Sequence, residues 1–438
     1  MLDLSRRSLL ISSAALAACS SAPTQTAAGP LPKISGPIPE TAGSKMYRSS
    51  GGDDDAALKA AGYTRAEYFI EGDAKLGPYK TRMILTRPKD PKKFSGILTV
   101  EIYQTSVWSQ VRSYLMREGH AWAMISSRGN QWLSMLKRAS PERYADIQIP
   151  ADEINADLLA QAVALLRTPH APNPAADLHV RKAILMGYSG DGASTRMFIE
   201  QAHRGVRRPD GKPVFDGYFV CATAVGSAPH PIPDLDVPVL ELMNENEMLR
   251  SFERGSMGLA YRREDGPNYR LWEIAGTGHI STRNVSPAFY ASACVETPHS
   301  DIAMDHIYSN ACHRLVLWVD KGTPPPYADR IAFEADGRTI KRDANGATIG
   351  GVRSISVDVP HAAINVISQV KPGGSGGTRC EMIAHMTPFT REKMTALYGS
   401  REGYVRQVSQ RADELARAGF YLPHDAAEIK AEAARLVW

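Results

Sequence analysis

The sequence has no long run of like charge. Its 51 Lys and Arg are met by 47 Asp and Glu, the formal net charge is only +4, and the basic residues are not interleaved with aromatics. That excludes the electrostatic footprint of a nucleic-acid binder, so nucleic acid is not an expected partner. Metal-ligand spacing is missing too. None of the 5 cysteines forms a Cys-x-x-Cys pair and none of the 12 histidines a His-x-x-x-His pair, and no metal site is expected. There is no internal repeat and no membrane span. The apolar run Leu9 to Ala18 falls well short of the ~20 residues a crossing helix needs.

That short run has another use. With Arg6 and Arg7 before it, it has the shape of an export signal. Ser5 to Leu10, "SRRSLL", resembles a twin-arginine motif, and Leu16 to Cys19, "LAAC", resembles a bacterial lipobox in which Cys19 is lipidated and becomes the first residue. The bland alternative is a cleaved signal in which Cys19 is incidental. The expected layout is a signal over 1–19 and a flexible tether over 20–45, rich in Ser, Thr, Ala, Gly and Pro. An exported bacterial lipoprotein facing the periplasm follows, on the outer membrane because Ser20 carries no acidic charge. Export puts the remaining cysteines in an oxidising compartment. Cys294 and Cys312 close a loop of about 18 residues, worth roughly 3 kcal/mol in chain entropy, and are the expected disulfide; Cys221 and Cys380 are then buried thiols.

From Glu67 onward strand-like and helix-like segments alternate. "YFIEGDA" and "YKTRMILTRP" read as an antiparallel pair turning near Gly77 and Pro78. "GILTVEIY", "AWAMISS", "KAILMGYS", "YFVCATA", "VPVLELM" and "YRLWEIAG" are continuous apolar strands, with a helix expected from Asp152 to Leu166 and another after Ser189. Continuous apolar strands between helices indicate an α/β fold, a mostly parallel sheet covered on both faces. The expected core is 46–327. From about Ala328 the rhythm breaks into short polar strands and two helical patterns, read as a carboxyl-terminal extension over 328–438 packed on the core.

In "ILMGYSGDGAS" a buried strand meets a helix at Ser189, the setting of a nucleophile elbow. Gly187 leaves room beneath the serine and Gly190 removes a side chain beside it. Asp191 departs from the strict Gly-x-Ser-x-Gly form and is expected to face solvent at the helix amino end. A serine needs a base and the base an orienting acid, in the order Ser, acid, His. Glu245 and Glu247 follow "VPVLELM", and His279 follows "YRLWEIAG" in a glycine loop; both stand at strand carboxyl ends, where open α/β sheets build sites. His230 precedes the acid and fits less well. Tyr188, Trp108 and Tyr103 are either pocket lining or core.

These segments, with "MGYSGDG", "VPVLELMNENE", "YRLWEIAGTGH", "RDANGATIGGVRS" and the carboxyl-terminal "YVRQVSQRADELARAGFYLPHDAAEI", resemble the alpha/beta-hydrolase superfamily. The likeness is closest to a bacterial family of exported proteins called "alpha/beta hydrolase domain" proteins, and it runs over most of the mature chain. The resemblance implies an alpha/beta-hydrolase fold with a mostly parallel eight-stranded sheet and helices on both faces. It also implies Ser189 as nucleophile, His279 as base and Glu247 as acid, with an oxyanion hole from the backbone N–H of Gly190 and one near Tyr103 or Gln104. The expected activity is hydrolysis of small-molecule carboxylic esters through an acyl-enzyme, without a cofactor. A peptidase or amidase using the same triad, or a catalytically silent envelope binding lipoprotein, are the alternatives. Nothing in the sequence sets the oligomeric state.

Overall fold

The structure is a computed structural model that describes residues 26–27, 29–48, 55–102, 106–127, 129–150, 156–223, 230–253, 258–281, 291–296, 302–373 and 377–438. The signal, with Cys19, and the loop holding Tyr103 and Gln104 lie outside the described residues. Among the described residues no helix is long and apolar enough to cross a membrane.

Among the described residues the main sheet has nine strands. In chain order they are β1 (Lys33–Ser35), β2 (Tyr63–Ala74), β3 (Gly77–Pro88), β4 (Ile97–Glu101), β5 (Ala121–Ile125), β6 (Lys182–Tyr188), β7 (Gly217–Cys221), β8 (Val239–Asn244) and β9 (Tyr269–Ile274). Across the sheet the order is β9-β8-β7-β6-β4-β5-β3-β2-β1. The six strands from β9 to β5 are mutually parallel, and β3, β2 and β1 continue antiparallel.

Two expectations are corrected here. The ninth strand, β1, comes from the segment read as a tether, where Ile34 pairs with Ile70 of β2; three residues are too few for alternation to show in sequence. The hairpin reverses at Lys75 and Leu76, not at Gly77 and Pro78, since Ala74 pairs with Gly77 and Asp73 with Pro78 inside the ladder. Proline is tolerated there because it stands near the start of its strand.

The helices that frame the sheet are α1 (Ser106–Arg117), α2 (Ala156–Leu166), α3 (Gly190–Gln201), α4 (Glu245–Glu253), α5 (Met304–Lys321), α6 (Arg401–Ala418) and α7 (Pro423–Ala433). Because side chains alternate along a strand, each central strand feeds two cores. Ile184, Met186 and Tyr188 of β6 join one core with α1, α5, α6 and α7; Ala183 and Leu185 join the other with α2 and α3. Both faces are therefore covered, which is why the central strands are buried along their whole length.

After α5 the chain returns to the open edge at β9. Val352 donates its N–H to Glu273 O and accepts from Ala275 N, so the extension pairs with an edge that would otherwise offer unpaired backbone groups. A small antiparallel pair, Ala362–Asn365 with His385–Pro388, follows before the two terminal helices.

The disulfide expectation is overturned. Cys294 is bonded to Cys380, 86 residues away, with Cα atoms 5.5 Å apart, and Cys312 is a free buried thiol like Cys221. Loop entropy ranks pairs by separation alone, whereas Cys312 lies inside α5 and faces the sheet core that also holds Cys221. Cys294 and Cys380 share a separate small cluster with Ala293 and Ile383.

Candidate active site

The sheet order reverses between β4 and β6: the chain runs outward through β5 on one side and through β7, β8 and β9 on the other. Such a switch point leaves a crevice beyond the strand carboxyl ends. Ser189 stands at that point, directly after β6, at φ 57° and ψ −118°. A non-glycine residue there is strained by an estimated 1–3 kcal/mol, and the surroundings enforce it. Ser189 N donates to Cys221 O at 3.0 Å while Ser189 O accepts from Ala193 N at 2.9 Å, so strand and helix are joined through one residue. The turn also needs Gly187, where a Cβ would lie 2.2 Å from Asp191 O.

Serine at a helix N-cap ordinarily spends its hydroxyl on capping. Ser189 makes no such bond. Its Oγ lies instead 3.0 Å from His279 Nε2, and His279 Nδ1 hydrogen-bonds Glu247 Oε1. A carboxylate only accepts, so it selects the tautomer with the proton on Nδ1 and leaves Nε2 to accept from the serine hydroxyl. The Glu247 side chain is fully buried and that of His279 12% exposed. Ser189 and His279 are thus the accessible end of the array.

Glu245 is engaged elsewhere. Its carboxylate accepts from Gly276 N (2.7 Å), Thr348 Oγ1 (2.5 Å) and Arg342 Nη2 (2.7 Å), which ties the base of the His279 loop to the extension. Gly190 opens α3, where the first N–H groups have no intrahelical acceptor. Asp191 is buried, not solvent-facing as expected, in the first turn of α3 where the helix dipole favours an anion. His230 is exposed, and its backbone carbonyl accepts from Arg196. Trp108 belongs to the core, its ring 5.0 Å from that of Trp122.

Support beneath the array comes from Tyr188, which the sequence offered only as pocket lining or core, and from two residues it gave no role, Asn244 and Tyr308. Tyr308 of α5 donates to Asn244 Oδ1 at 2.9 Å, Asn244 Nδ2 donates to Tyr188 Oη at 3.1 Å, and Tyr188 donates to the backbone carbonyl of His279. Burial, and then the negative charge of Glu247, hold the Tyr188 phenol well above its ordinary pKa; burial does the same for Tyr308. Both phenols stay protonated and keep donating. Asn244 was findable as the last residue of β8 beside the acids; Tyr308 carries no local signal.

The extension buttresses the loop from outside. Ile280 N donates to Met382 O at 2.8 Å, and Asn246 Nδ2 donates to Val366 O and Glu381 O, both at 2.7 Å. Gly278 permits the approach, since a Cβ there would sit 2.6 Å from Ala384 N.

Residues 34–431 match the model of a family described as "Alpha/beta hydrolase domain". Among solved structures the chain is similar to the esterase Est22, at 12% identity and a TM-score of 0.30 over 51% of this chain and 76% of that one. It is also similar to a ferulic acid esterase from Streptomyces cinnamoneus, at 12% identity and a TM-score of 0.34 over 64% of this chain and 95% of that one. No curated protein matches the chain.

Proposed function

Because the chain belongs to the alpha/beta hydrolase domain family, we propose that it is a serine hydrolase that cleaves carboxylic esters through an acyl-enzyme. One observation carries the reading: a serine on a strained strand-to-helix turn, its Oγ 3.0 Å from an imidazole whose other nitrogen is held by a buried carboxylate. Ser189 attacks the ester carbonyl as its proton passes to His279 Nε2. The imidazolium, stabilised by Glu247, returns that proton to the leaving alkoxide, and a water activated by the same imidazole then releases the acid. The Gly190 N–H, with a second from Tyr103 or Gln104, is the proposed oxyanion hole.

Ser189→Ala tests the reading. Turnover of a chromogenic ester and labelling by a serine-reactive phosphonate should both vanish while the melting temperature holds, because the hydroxyl carries no packing. A fall of only a few-fold would place the nucleophile elsewhere, and turnover of anilides in preference to matched esters would make the enzyme an amidase.

The membrane tether is also a proposal. Lipidation of Cys19 would hold the enzyme at the periplasmic face of the outer membrane, each buried methylene adding roughly 0.8 kcal/mol. Cys19→Ser should leave an unprocessed or soluble form; normal membrane recovery of that variant refutes the anchor.

A further inference from the structure

Away from the active site, α5 and α7 meet through three side chains of metal-binding type. His306 lies in the first turn of α5, and Asp425 and Glu428 are three residues apart on one face of α7. One ligand atom from each lies within 4.8 Å of the other two. His306 Nε2 is 2.9 Å from Glu428 Oε2.

The burial is uneven in an informative way. Asp425 is 3% exposed, yet its Oδ2 has no hydrogen-bond partner, and His306, 4% exposed, has none at Nδ1. A carboxylate removed from water without a partner is costly, and proteins resolve that cost by pairing or by a bound cation. Asp425 Oδ2 is the unpartnered atom of a cluster whose third member, Glu428, is half exposed, so the cluster borders solvent.

We propose that His306, Asp425 and Glu428 form a binding site for one divalent transition-metal ion, with zinc as its chemical type, that rivets α7 to α5. One imidazole and two carboxylates suit zinc, completed to four-coordination by water, and suit calcium or magnesium poorly, since those ions take oxygen ligands. Zinc bonds of ~2.1 Å in a tetrahedron place ligand atoms roughly 3.4 Å apart. The present spacing, at most 4.8 Å, is within about 1.4 Å of that value. The ion has no part in ester chemistry; it fixes the helix that carries Tyr308, two residues from His306.

The full-length protein, stripped with chelator and dialysed, should take up one Zn²⁺ per chain in calorimetric titration. Co²⁺ should give the visible absorption of a four-coordinate site. Saturating Zn²⁺ should raise the melting temperature by about 3 °C or more, while Ca²⁺ and Mg²⁺ leave it unchanged. Asp425→Asn should lose this binding. Glu428→Gln, at a half-exposed position where folding is not at risk, should weaken it by at least about tenfold, in line with what even supporting groups contribute at metal sites. A wild-type chain that binds no zinc overturns the proposal and leaves a His306–Glu428 hydrogen bond beside a buried Asp425. Zinc binding that survives unchanged in Glu428→Gln and in His306→Ala overturns it equally, as adventitious binding to other histidines.

Discussion

At the scale of single residues, the informative contrast is between two glutamates two positions apart. Glu247 meets His279, while Glu245 is held by Arg342 and Thr348, 97 and 103 residues further along. Glu247→Gln should lower ester turnover by up to about 10⁴-fold, because the imidazole loses the partner that sets its tautomer. Glu245→Gln should act on stability instead, losing about 1–3 kcal/mol by weakening a charge-assisted cluster, with turnover within a few-fold of wild type. Urea melts and initial rates on one ester decide between them, and a crippled Glu245→Gln with a healthy Glu247→Gln would reverse the assignment. Ser189 and His279 were legible in the sequence because their signals are local, a glycine-flanked strand end and a glycine loop after a late strand. The choice between the glutamates was not legible in the residues themselves and came only from the family resemblance, which pointed to Glu247, since what commits Glu245 elsewhere comes from a distant segment. Tyr308 was invisible for the same reason.

At the scale of elements, α1 is bracketed by two buried titratable groups of opposite behaviour. Glu101, at the end of β4, accepts from Val107 N (2.8 Å), Trp108 N (2.9 Å) and Trp122 Nε1 (2.8 Å), yet complete burial pushes its carboxyl up to about 7. His120, just past the helix, is held between Ser95 Oγ and Tyr114 Oη, and burial brings it down to about 3. Between pH 4.5 and 7 the folded Glu101 binds a proton that the unfolded chain does not, so its contribution to stability is full at low pH and is lost as pH rises through about 7. His120 does the reverse: its contribution is present above pH 6.5 and is lost as pH falls toward 3. The two slopes oppose each other from pH 4.5 to 6.5. Wild type should gain about 3 kcal/mol over Glu101→Gln as pH falls from 7 to 4.5, and should lose ground to His120→Gln over the same interval. Denaturant melts at a series of pH values read both differences; parallel curves for wild type and Glu101→Gln would show that Glu101 does not titrate in that range. The alternation of strands and helices was readable because the central strands are apolar on both faces. The edge strand β1 was not, being three residues with one partner.

At the scale of the whole molecule, the extension is joined to the site it supports. The Cys294–Cys380 bond closes a loop spanning 86 residues, for which chain entropy gives about 4–5 kcal/mol, and it sits in a cluster packed against Ile280, the neighbour of His279. Reductant under native conditions should lower the melting temperature and the turnover of wild type together. The double variant Cys294→Ser/Cys380→Ser should start from the lower values and ignore reductant; a wild type indifferent to reductant would detach the bond from the function. The change of rhythm in the sequence is what suggested an extension, but which cysteines are joined depended on how the chain folds back, and spacing holds no record of that. The same geometry orders events in time. A nascent chain that has emerged as far as Val352 already contains Ser189, Glu247 and His279, yet lacks the Met382 carbonyl that holds the Ile280 N–H, and it lacks Cys380. The outer support of the His279 loop therefore arrives only after the segment carrying Cys380 and Met382 has been made and folded back, and the proposed hydrolytic competence waits for it.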